Sequence, residues 1–250
     1  MLNHTFIHAE GIGPTTEKKL WLAGIHTWEH FLASQRSNNL PNQKLLRLIP
    51  LVEESLSAVQ QRNVGFFGTR LKSTEQWRLY NEFSDQAAFV DIETTGLSSD
   101  FDQITVIGLF AGGTFHSFIQ GKNLEHFPDV VAKFPLVVTF NGAQFDLPFL
   151  RKRFPKFNPP AHIDLRYPLA KLGHTGGLKL IERKLGIVRP CHLRDVDGFE
   201  AVRLWFEHRR GNAAALDRLL EYCRHDVMNM KPLAERVAAD MPKLLGLPQK

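Results

Sequence analysis

The chain has 250 residues, 43% hydrophobic and 23% charged, which suits one large globular domain, alone or with a small appendage, and excludes a disordered, collagen-like or coiled-coil chain. Two cysteines, Cys191 and Cys223, make neither a disulfide framework nor a four-cysteine zinc site, so a reducing, cytoplasmic home is expected. The net charge of +5 is uneven: residues 1–150 carry 11 Lys and Arg against 15 Asp and Glu, whereas residues 151–250 carry 20 against 11. That basic excess is either a solvated face or a track for phosphates.

The amino-terminal MLNHTFIHAEGIGP lacks a basic flank followed by an apolar run, and no later stretch approaches 18 uncharged apolar residues, so no export signal or membrane span is expected. Residues 15–34 place Leu20, Trp21, Ile25, Trp28, Phe31 and Leu32 at helical spacing, with a break at Gly24. After the SNNLPN loop, residues 41–62 repeat the pattern, and a further helix is expected over 73–83. From Ala87 the texture changes to short β-branched or aromatic runs, AAFVDIE, QITVIGLF, TFHSFIQ and LVVTFN, separated by turn residues. Helices then return, with one more strand at HIDL, residues 162–165. The reading is an α/β domain over 86–240, preceded by residues 1–34 and a helical connector at 35–85 and followed by a tail at 241–250.

Three segments concentrate acids. Strand alternation in FVDIETTGL puts Asp91 and Glu93 on one face, and such a pair is either solvent-facing on an edge strand or a metal site. In FNGAQFDLPFL, Asp146 falls in the first turn of a helix amid aromatics, where a helix amino terminus or a ligand role accounts for it. In LLEYCRHDVMNM, Tyr222 and Asp226 share a helix face at i, i+4, as a hydrogen-bonded pair or as part of a site. Together the segments supply four carboxylates, for which Mg²⁺ or Mn²⁺ is the expected occupant.

These three segments, in this order, resemble the motifs of the DEDD 3'-5' exonuclease superfamily on the ribonuclease H-like fold. A tyrosine four residues before the last aspartate resembles its tyrosine subclass. EKKLWLAGIHTWEHFL, GGLKLIERKLGIVRP, DGFEAVRLW and LLEYCRHDVMNMKPLAE are similar to the bacterial YprB-like ribonuclease H-like proteins. The resemblance implies a mixed five-stranded sheet flanked by helices and two-metal phosphodiester hydrolysis at the ends of single-stranded or frayed DNA or RNA. It implies Asp91, Glu93, Asp146 and Asp226 as ligands of two divalent cations, with Asp91 bridging them and Tyr222 orienting the attacking water. Thr94 and Asn141 resemble positions that contact the terminal nucleotide. Asp164 is expected to support the site without ligating. The alternatives are a noncatalytic nucleic-acid-binding or scaffolding protein on this fold, or a structure-specific endonuclease.

The front segment GIGPTTEKKLWLAGIHTWEHFL resembles a helix-hairpin-helix element. Gly11 and Gly13 would shape its turn, and the next helix amino terminus would meet a phosphate beside Lys18 and Lys19. A helical unit that merely packs through Trp21 and Trp28 is the other reading.

Overall fold

A computed structural model describes residues 1–36, 43–193 and 196–247; the SNNLPN loop lies outside the described residues. The chain opens with α1 (Pro14–Leu22) and α2 (Trp28–Arg36), separated by a turn at Gly24, whose φ of +82° suits a residue without a Cβ. A 3-10 segment leads into α3 (Ile49–Gln60), followed by the short α4 (Val64–Gly68). The helix expected over 73–83 is wound more tightly over most of its length: Ser73–Leu79 is 3-10, and only α5 (Tyr80–Phe83) is α-helical. Gln76, Trp77, Arg78 and Leu79 are all buried, so tertiary partners on every side, rather than an amphipathic stripe, set its conformation.

Five strands follow: β1 (Ala87–Thr94), β2 (Ile104–Ala111), β3 (Thr114–Ile119), β4 (Leu136–Thr139) and β5 (Ala161–Asp164), in the spatial order β3-β2-β1-β4-β5. The first three form an antiparallel meander, and β4 and β5 add in parallel on the other side of β1. α6 (Phe127–Val131) precedes β4, and α7 (Asp146–Arg153), α8 (Arg166–Lys171), α9 (Leu178–Lys184), α10 (Gly198–Arg209) and α11 (Ala213–Leu244) complete the chain. This is the mixed, helix-flanked five-stranded sheet of the ribonuclease H-like fold, with a helical region before it. No helix among the described residues is long and apolar enough to cross a membrane.

Alternation along β1 divides the core. Ala88, Val90 and Ile92 join Val137 and the side chains of α6 and α7 on one face. Ala87 and Phe89 face the other way, into a larger cluster that includes Met230, Leu233 and Val237 of α11 and Trp21, Trp28 and Phe31 of the amino-terminal helices. Trp28 is fully buried and stacks on Phe67, with ring centroids 5.8 Å apart. Beneath it Arg78 pairs with Glu17 at 3.0 Å, both essentially without solvent contact, and Glu17 also accepts the Phe6 N–H at 2.7 Å. Removing either partner would strand a buried charge. α11 continues to Leu244, with Met241 and Pro242 buried, so residues 241–244 extend that helix.

One contact sets the height of α11 above the sheet. A Cβ on Gly108 of β2 would lie 2.5 Å from Cys223 Sγ and 3.1 Å from Val227 Cγ1, so helix and strand approach as closely as they do because Gly108 has no side chain. Asp91 is the cross-strand partner of Gly108, so the same contact brings α11 down beside Asp91. Gly108→Ala is expected to lower unfolding free energy in urea by about 1–3 kcal/mol through overpacking. Adding Cys223→Ala, which removes the obstructing sulfur, should recover much of the loss. Additive losses in the double variant would contradict this packing.

Candidate active site

β1 runs apolar at its start and acidic at its end on the face toward α11: Ala87 and Phe89 are followed by Asp91 and Glu93. Such carboxyl-terminal strand ends are where open α/β sheets bind ligands. Asp91, Glu93 and Thr94 line one cleft of about 910 Å³, together with Tyr222 and Asp226 of α11. Asp146 does not line that cleft; it is buried at the start of α7, close enough that its charge acts on both Asp91 and Glu93. All four acids expected from the sequence thus gather in one neighbourhood.

The electrostatics record that crowding. Desolvation, followed by the charges of Asp226, Asp146 and Glu93, holds the Asp91 carboxyl well above the usual carboxylate range. Glu93 is raised for the same reasons, burial first and then Asp226. Asp146 is pushed up to about 7, mainly by burial, against the pull of backbone amides. Two buried carboxylate oxygens, Glu93 Oε1 and Asp146 Oδ1, have no hydrogen-bond partner. Orphaned acceptors of this kind are costly without a cation or proton. Oxygen donors in such a set suit a hard divalent cation.

Tyr222 is 7% exposed and lies one helical turn before Asp226, whose charge acts on its hydroxyl. Burial, then the charges of Asp226, Glu93 and Asp91, lift its phenol far above the ordinary value of 10. The hydroxyl therefore keeps its proton and acts as a donor. Cys223, between Tyr222 and the sheet, offers its sulfur within 4.8 Å of ligand atoms of Asp91 and Glu93. Burial and the same acids raise its thiol, so it stays protonated and, being soft, is a poor match for a hard cation.

The remaining site residues divide. Thr94 is buried at the cleft wall, and its hydroxyl donates to the Gly96 carbonyl. Asn141 does not line the cleft. It adopts φ +63°, a left-handed turn residue, and its amide donates to Asp164 Oδ1 at 2.7 Å while its side-chain oxygen accepts from Arg166. Asp164 also accepts from the Ala143 and Arg166 amides at 3.0 and 3.1 Å, so this carboxylate pins the turn that aims Asp146. Gly11, Gly13, Lys18 and Lys19 lie away from the acids: Gly11 has φ +75°, Gly13 precedes α1, and the lysines line a shallow depression with Pro14, Thr15 and Leu22.

The sequence profile of the RNase_H superfamily (RNase_H_2) matches residues 88–238, more than half of the chain and all of the acid cluster. The chain belongs to the RNase H superfamily. No curated protein matches its sequence. Among solved structures, the family B DNA polymerase of the hyperthermophilic archaeon Pyrobaculum calidifontis superposes with a TM-score of 0.51 at 17% identity over 64% of this chain, sharing the fold. The chain spans about a quarter of that polymerase's length, 25%. Brucella melitensis NrnC with bound Mg²⁺ gives 0.47 at 21% identity, covering 67% of this chain and 79% of NrnC. The same protein bound to pGG gives 0.47 at 21%, covering 67% and 78%.

In this RNase H superfamily member, sequence reasoning missed two cations and one thiol at the site. Lys179 Nζ lies 4.5 Å from the Tyr222 ring centroid, and Arg189 pairs with Asp226. Both belong to GGLKLIERKLGIVRP, but no spacing rule links that segment to an aspartate 37 residues beyond Arg189.

The raised carboxyls predict a pH-dependent cost. The folded state holds these protons to higher pH than the unfolded state does. Asp91, Glu93 and Asp146 are therefore neutral in both states only below about pH 3, and they destabilise the fold increasingly as pH rises above that. In EDTA at pH 8, Asp91→Asn is expected to raise the thermal midpoint by about 2–4 °C, roughly 1 kcal/mol for a chain of this size. The gain should vanish below about pH 3. A gain equal at both pH values would contradict this electrostatic origin.

Proposed function

We propose that the protein is a metal-dependent nuclease that removes nucleotides from the 3' ends of single-stranded or frayed DNA or RNA. The observation that carries this reading is the set of four desolvated acids from three separate segments, two with orphaned oxygens, around one cleft of an RNase H superfamily fold. A noncatalytic scaffold has no use for mutually repelling buried carboxylates. Asp91, Glu93, Asp146 and Asp226 would hold the cations. When bound, a pair of divalent cations supplies positive charge for the attacking and leaving oxygens of phosphodiester hydrolysis.

The chain's own groups do the rest. Tyr222 keeps its proton, so its hydroxyl orients a water nucleophile by hydrogen bonding and does not remove its proton. Thr94 stands at the cleft wall where a terminal nucleotide would rest. Asn141, held by Asp164 and Arg166, shapes the turn beside the cleft, where a terminal nucleotide extending past the lining would meet it. Phe140 and Phe145 give the cleft apolar surface for a base.

End-labelled single-stranded DNA and RNA incubated with Mn²⁺ should shorten stepwise from the 3' end, and EDTA should stop the reaction. Asp91→Asn should slow cleavage by at least about a thousandfold while retaining part of the nucleic-acid affinity. Cleavage that survives EDTA or the substitution would refute the assignment.

The hairpin is read as a second contact with the strand. Lys18 and Lys19 lie in the middle and last turn of α1, and Arg47 approaches the turn before it, its Nη2 2.9 Å from where a Cβ on Gly11 would lie. Because Trp21 and Trp28 are core residues, point substitutions rather than deletion test this role. Lys18→Gln with Lys19→Gln should flatten the slope of log affinity against log salt by about 0.7–0.9 per lost phosphate contact, on long substrates only. An unchanged slope would assign the hairpin to packing alone.

A further inference from the structure

The acid cluster has a resident cation. Arg189, in the LGIVRP segment after α9, is 7% exposed, and its two partners, Glu182 and Asp226, are 1% and 5% exposed. Its Nε and Nη2 donate to the two carboxylate oxygens of Glu182, the latter at 2.6 Å, and Nη2 also donates to Asp226 Oδ1. The guanidinium carbon lies 5.8 Å from the Tyr222 ring centroid, and Nη1 is buried without a partner. A bidentate grip by Glu182 fixes the fork in one plane, and that plane delivers a single N–H to Asp226. Among the described residues, the four acids therefore have one buried counter-charge in direct contact with them, shared with a fifth carboxylate, Glu182, that is not part of the cleft lining.

We propose that Arg189 is a positioning residue that orients Asp226 and serves as the cluster's counter-ion, and that Glu182, by sharing its charge, sets the affinity of the site for a divalent cation. This rests on the metal reading above. A fixed positive charge a few ångströms from a site for a doubly charged ion opposes binding, and a carboxylate behind that charge relieves the opposition. The two residues should then act with opposite sign. A purely structural role predicts one sign, since disturbing either partner of a buried pair misplaces Asp226 and weakens binding.

The test is Mn²⁺ titration calorimetry at pH 7.5 on the full chain, with folding checked by near-UV circular dichroism. Arg189→Gln should bind Mn²⁺ about tenfold more tightly than wild type, and Glu182→Gln several-fold more weakly. Because Arg189→Gln leaves Glu182 buried and unpaired, the Glu182→Gln, Arg189→Gln double variant, a neutral amide pair, provides the same comparison in a chain without that charge. Its affinity should exceed wild type, reversing the loss caused by Glu182→Gln alone. If wild type binds Mn²⁺ while the double variant binds no more tightly than Glu182→Gln, the counter-ion role is wrong and the metal reading stands. A wild-type chain that shows no Mn²⁺ binding overturns both.

Discussion

Mutual repulsion among buried carboxylates is the constraint around which this molecule is arranged. Asp91, Glu93, Asp146 and Asp226 come from one strand end and two helices, and the charges of Asp226, Asp146 and Glu93 raise the proton affinity of their neighbours in the cluster. Most other buried positions of the sheet are Ala, Val, Ile, Leu and Phe, which stabilise the fold by apolar burial without any such repulsion. Holding the acids together takes a rigid frame. The β1 strand anchors two of them within the central part of the sheet, where both neighbours, β2 and β4, fix its register.

The other two acids are aimed by contacts that carry no catalytic chemistry. Asp146 follows a turn that depends on a left-handed Asn141, on Gly142 lying against Thr139, and on Asp164 gathering three backbone amides. Asp226 depends on the close approach of α11 to β2 at Gly108 and on the guanidinium of Arg189. The lower half of α11 belongs to the same apolar cluster as Trp28 and Phe31, so the amino-terminal helices help set the position of the helix that carries Tyr222 and Asp226. Their packing and the geometry of the cleft are mechanically continuous.

Much of this was legible in the sequence because two periodicities are strong. The β-branched runs from Ala87 announce the meander, and alternation alone puts Asp91 and Glu93 on one face. The i, i+4 spacing of Tyr222 and Asp226 likewise needs only a helix. What escaped depends on contacts distant in sequence. The 3-10 winding of Ser73–Leu79 reflects burial from all sides, with Gln76 bonded to Gly68 and His162. Arg189 reads as one basic residue among many until the fold sets it against Asp226, and Cys223 reads as a small apolar residue until Gly108 draws it down beside Asp91.

The central claim is that these four carboxylates form a cation site. Anomalous diffraction from crystals grown with Mn²⁺, recorded near the manganese absorption edge, tests it most directly. The account predicts difference density among the carboxylates of Asp91, Glu93, Asp146 and Asp226, and none at Cys223. Density elsewhere on the protein with this cluster empty would contradict it.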